Sequence, residues 1–156
     1  MSVAGSVPKN LDTRLKRRER GRLPRGALLR YQRISRAKTT RGNRLLELDL
    51  DGSLRMAAHS ADPGADWQRP MDTPLPRTPC AQVPKEAVAE ITALIERERF
   101  AEQAPFQVGE AAKDGRWEIL TVRTSRFGTH EVIYENAESE LLSLVRTLAR
   151  SSDAPA

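Results

Sequence analysis

Residues 84–99 read PKEAVAEITALIERER. Ala87, Val88, Ile91, Leu94 and Ile95 recur at three- and four-residue spacing, so a helix over this stretch gathers them into one apolar stripe. Pro84 suits the first helical position, where its missing N–H would have no helical partner. Glu86 in the first turn and Arg97 and Arg99 in the last carry the signs the helix dipole favours. Such a stripe has to be covered by another layer, and the flanking sequence offers a sheet.

Upstream, Leu46, Leu48 and Leu50 alternate with Glu47 and Asp49, and Leu54, Met56 and Ala58 continue the alternation. Asp51–Gly52 between them predicts a hairpin with a two-residue type I′ turn. Ala27–Ser35 reads as a preceding strand, with Leu28 and Ile34 on one face and Leu29 and Tyr31 on the other. Residues 38–43 (KTTRGN) read as a turn. Ser60–Val83 is a Pro-rich connection, too long for an ordinary loop, whose Trp67 is expected to pack on the body.

Downstream, Phe100 projects opposite the stripe. The helix should therefore distort or end there, letting Phe100 and Phe106 pack. Gln107–Gly115 reads as a polar loop. Arg116–Ser125 and Thr129–Glu135 form a second hairpin, and Asn136 caps a last helix from Ala137 to Arg150. Leu141, Leu142, Val145, Leu148 and Ala149 are its stripe. The expected fold is α+β: an antiparallel sheet of four to five strands with two helices on one face, in the order β-β-β-α-β-β-α. Leu48, Ile91, Leu94, Ile95, Leu120, Val122, Leu141 and Val145 are its expected core.

At 156 residues the chain suits a single domain, here 27–150, and with 4% aromatics its core should be Leu, Ile and Val. Charge is unevenly placed. Residues 1–44 hold 14 Lys or Arg against Asp12 and Glu19, a net +12. Residues 45–156 hold 12 basic against 19 acidic groups, a net −7, which leaves the total at +5. Residues 1–26, poor in apolar groups, are expected to form a disordered basic arm, and 151–156 a frayed tail. In that arm Arg14, Lys16, Arg17, Arg18, Arg20, Arg22 and Arg25 are the candidate polyanion-binding residues. No aromatic interleaves with them before Tyr31, so base stacking is not indicated.

Few chemistries find their residues here. Glu47, Asp49, Asp51 and Gly52 suggest a calcium loop, but Gly52 at loop position 6 would put Ala58 where a bidentate Glu is needed. His59, His130 and Cys80 are too few for a structural zinc site. A Cys80–His130 nucleophile pair has no supporting motif. Neither a phosphate-binding glycine loop nor a nucleophile elbow is present. No cofactor is expected. The single Cys80, the lack of an apolar leader and the lack of a membrane-length apolar run predict a cytoplasmic protein without membrane contact.

The segments LELDLDGSLRM, ITALIERERF, WEILTVRT and HEVIYE, with the closing helix, resemble a group of small bacterial proteins. That group is similar in layout to emfourin, an inhibitor of thermolysin-type metalloproteases. The resemblance spans about residues 28–150 and implies a β-β-α-β-β-α layout; the basic arm and the Pro-rich connection depart from it. The expected function is a non-catalytic protein-interaction or regulatory module with an unidentified protein partner, a protease inhibitor by the resemblance. The alternative is a nucleic-acid-associated protein that binds phosphates through the arm.

Overall fold

The computed structural model describes residues 3–4, 7–15, 20–37, 42–58, 74–110 and 115–152. Their elements are β1 (Val3–Ala4), α1 (Lys9–Asp12), β2 (Ala27–Ser35), β3 (Arg44–Asp49), β4 (Ser53–Ala58), β5 (Ala81–Gln82), α2 (Lys85–Arg97), β6 (Phe106–Val108), β7 (Arg116–Thr124), β8 (Gly128–Glu135) and α3 (Glu140–Ser152). The strands form one α+β sheet in the order β1-β6-β8-β7-β2-β3-β4-β5. Every pairing is antiparallel except β6 with β8.

The five expected strands are β2, β3, β4, β7 and β8, and they make the middle of the sheet. The expected count and order are corrected by β1, β5 and β6. Two of these are two-residue bridges and one has three residues, too short to show alternation. β6 lies where the polar loop was expected to begin. Ala81–Gln82, inside the Pro-rich connection, extends the sheet beside Ser53 and Leu54.

Both long helices pack on one face, as the two stripes require. Val88, Ile91, Leu94 and Ile95 of α2 and Leu141, Leu142, Val145 and Ala149 of α3 share a core with Leu29, Tyr31, Leu46, Leu48, Leu54, Leu120, Val122, Val132 and Tyr134. All eight expected core residues are buried. Leu28 joins this cluster rather than Ile34, because a register irregularity between Ala27 and Leu29 turns it over. Arg99 takes a left-handed conformation, φ 50°, just past α2, and a 3₁₀ turn from Phe100 to Glu102 follows. That break buries Phe100 in the same core.

The opposite face carries a second cluster: Ile34, Phe106, Trp117, Ile119 and Ile133, with Leu11 and Leu15 packed on them. Here the structure departs from a disordered arm over 1–26. Leu11 and Leu15 are fully buried, and α1 lies between Pro8 and Thr13. The alternation on β7, β8 and β2 leaves an apolar second face, and these two leucines cover it.

Local chemistry corrects three further expectations. The hairpin turn is not type I′, since Asp51 lacks positive φ. Instead Gly52 donates to the Asp49 carbonyl at 3.0 Å and has φ +91°, a three-residue turn of Leu50, Asp51 and Gly52. Leu50 is consequently 52% exposed rather than a strand residue. Pro84 is the N-cap of α2, not its first helical residue. Asn136 does not cap α3. It has φ 54° and its Oδ1 accepts from the Arg116 N–H, while Ser139 Oγ accepts the Leu142 N–H at 3.0 Å. The helix runs on through Ser152, so two of the tail residues are helical. The expectations for His59 and Trp67, and for most of 38–43, lie outside the described residues.

Candidate anion-binding cleft

Alternation along the strands gives the helix-covered face its rows. One row is Val132, Leu120, Tyr31, Leu46 and Met56, apolar from β8 to β4 apart from the tyrosine hydroxyl. The next row outward is Tyr134, Glu118, Arg33, Arg44 and Ala58. The same face thus passes from core to charge within one pleat. Arg33 stands directly opposite Arg44 on one side and Glu118 on the other.

Arg146 and Arg150 of α3, four residues apart and so on one helix face, are brought over this row. Together Tyr31, Arg33, Arg44, Arg116, Glu118, Arg146, Ala149 and Arg150 line an open cleft of about 380 Å³. Five guanidiniums thus face one carboxylate among the lining residues.

That carboxylate is buried, with 1% of its side chain exposed, and saturated. Its Oε2 accepts from Arg146 Nε at 2.7 Å and from the Tyr31 hydroxyl at 2.6 Å. Its Oε1 accepts from Arg116 Nε at 2.9 Å and from Arg146 Nη2. Burial alone pushes Glu118 up, but the hydrogen bonds from Arg146 and Tyr31, with the charges of Arg146 and Arg116, hold it below the usual carboxylate range. The hydrogen bond to Glu118 raises Arg146 above its ordinary value. Burial first, and then the Glu118 charge, pushes the Tyr31 phenol up. Glu138 accepts from Arg146 Nη1 at 2.6 Å, which clamps that guanidinium from its outer side.

The other cleft arginines are less engaged. Arg33 donates to the Gly42 carbonyl at 3.4 Å and has no carboxylate partner among the described residues. Arg150, exposed at the end of α3, forms no ion pair among them. Excess positive charge therefore collects at the mouth, while the floor is internally neutralised.

The sequence-predicted arm residues are not gathered into a site. Arg14 is 2% exposed and donates to the Ser35 carbonyl at 2.6 Å; burial lowers its pKa. Arg20 bridges Glu131 at 2.8 Å and Asp12 at 2.8 Å, and the Glu131 hydrogen bonds raise its pKa. Arg22 and Arg25 are exposed. Lys16, Arg17 and Arg18 lie outside the described residues. The acidic run of the first hairpin is likewise committed: Glu47 pairs with Arg30 at 3.3 Å and Asp49 with Arg55 at 2.6 Å. Cys80 is exposed and free, and His130 contacts the Phe127 carbonyl, so the two are not a pair. Among the described residues no group of three or more His, Cys, Asp or Glu could hold a metal ion, and no helix is long and apolar enough to cross a membrane.

Sequence reasoning missed the cleft, although a signal exists. Arg33 occupies the parity of Leu29 and Tyr31, and Glu118 that of Leu120 and Val122. A charge on an apolar parity marks where a core gives way to a polar site. The sequence matches no protein-family model, and no curated protein matches it.

Proposed function

We propose that the chain is a non-catalytic interaction module that binds an acidic segment of a partner protein in the arginine-lined cleft. The observation that carries this is the placing of Arg33 directly opposite Arg44, with Arg150 above them. Like charges facing each other across neighbouring strands are destabilising, and an arriving anion relieves that repulsion. Guanidinium forks suit carboxylate ligands and give up less hydration than ammonium groups. The titratable groups of the cleft favour binding over chemistry. Glu118 is held ionised and Tyr31 protonated, so neither exchanges a proton readily near neutral pH. Where the partner is a protease, as the emfourin resemblance implies, its acidic surface would be the part engaged. The nucleic-acid alternative draws no support from Arg14 or Arg20, whose guanidiniums are spent inside the fold.

The test is fluorescence anisotropy with a labelled Glu-rich peptide at two salt concentrations. Binding should weaken as salt rises. Arg33→Gln with Arg150→Gln should reduce affinity at least about tenfold, the loss of roughly one charge-assisted hydrogen bond. Arg22→Gln with Arg25→Gln should leave it unchanged. Equal binding by the wild type and the cleft double variant would refute the proposal.

A further inference from the structure

We infer that the group the cleft selects is a phosphomonoester on the partner segment rather than a side-chain carboxylate. This inference rests on the interaction reading above. The cleft already contains a carboxylate, Glu118, and it shows what one carboxylate can use: two guanidiniums and one hydroxyl. The arginines left toward the mouth come from separate elements: Arg33 from the end of β2, Arg44 from the start of β3 and Arg150 from the last turns of α3. They approach from the sheet and from the helix above it. A planar carboxylate, with one charge and two oxygens in one plane, meets donors on one side. A phosphomonoester carries close to two charges at neutral pH and three acceptor oxygens arranged around phosphorus, so donors from several directions can each find one.

The lining supports this class in two further ways. Ala149 is the one aliphatic side chain in it, and the only ring is Tyr31, 3% exposed with its hydroxyl engaged by Glu118. No exposed aromatic is available to stack a nucleobase, which points away from nucleotides. Charges supply nearly all the attraction, so the ligand with more charge per volume gains most. The Glu118 and Glu138 carboxylates hold Arg146 in place in advance, and less side-chain ordering remains to oppose binding.

The experiment uses the full chain and three fluorescein-labelled peptides of one Gly/Ala-flanked sequence bearing phosphoserine, Glu or Ser at the centre. Inorganic phosphate is the competitor. The phosphoserine peptide should bind at least about tenfold tighter than the Glu peptide, inorganic phosphate should displace it, and the Ser peptide should not bind. Arg150→Lys keeps the charge but removes the fork, and should shrink the preference for phosphoserine over Glu. Thermal melting of that variant at the wild-type temperature shows that the fold is intact. Equal affinity for the phosphoserine and Glu peptides would overturn the phosphate inference and leave the acidic-partner reading standing. Binding of neither would overturn both.

Discussion

Oε1 of Glu98, the residue just past α2, accepts a hydrogen bond from the backbone N–H of Leu141 at the start of α3, at 3.0 Å. One helix end thus supplies an acceptor that the other helix start lacks. Beside it Arg97 and Glu140 form an ion pair, but both are more than half exposed and contribute little. Glu98→Ala should therefore cost about 1 kcal/mol, the usual worth of a capping contact. Arg97→Ala should fall within about 0.5 kcal/mol of wild type. Urea titration of the two variants distinguishes them, and equal losses would show that the ion pair, not the cap, joins the helices.

Gly52 has φ +91°, and a Cβ placed on it would collide with the Val83 carbonyl oxygen and the Gln82 side chain. Val83 donates its own N–H to the Gly52 carbonyl at 2.8 Å, so the two backbones cannot part cheaply. Gly52→Val should lose about 1–3 kcal/mol from backbone strain alone. A melting temperature equal to wild type would mean that this turn and β5 are not held as described.

Leu11 is fully buried against the second sheet face. Leu11→Ala should cost about 2–4 kcal/mol, as emptying an aliphatic core position does. A solvated arm would predict no change, so chemical denaturation separates the two directly. Ile91→Ala, on the other side of the sheet, should cost a similar amount for the same reason.

Glu118 has a folded pKa below its unfolded value of about 4.3. A depressed carboxylate stabilises the fold above the unfolded value. That contribution disappears as pH falls through the lowered folded value. Glu118→Gln should cost roughly 3 kcal/mol at neutral pH, because Arg146 and Arg116 lose their anion in a largely buried setting. It should also flatten the decline in stability below about pH 4. Melting curves from pH 7 to pH 3 check both. An unchanged acid limb would show that other carboxylates set it.

The two stripes, the two hairpins and the break at Phe100 were legible because each is a local pattern with a period. What escaped was decided across the chain. Phe106–Val108 is a strand only because β8 runs beside it in parallel. Leu11 and Leu15 look stranded among charges until Trp117, Ile119 and Ile133 leave them an apolar face. Asn136 and Ser139 are both plausible caps in sequence, and the Arg116 N–H settles the choice by claiming Asn136. The cleft was hidden for the same reason: Arg33, Glu118 and Arg146 are far apart until strand register and helix packing assemble them.

The strand register also fixes an order of events during synthesis. Residues 7–15 leave the ribosome first, yet Leu11 and Leu15 have no partners until Trp117, Ile119 and Ile133 have been made. Leu29 can meet Leu48 early but waits for Val122. For most of translation the nascent chain therefore presents apolar residues whose sheet neighbours do not yet exist, the condition in which chains associate wrongly. The basic residues interleaved with them keep such chains apart by mutual repulsion. Charge clustered near the start of the sequence thus protects the chain while it waits for its own C-terminal half.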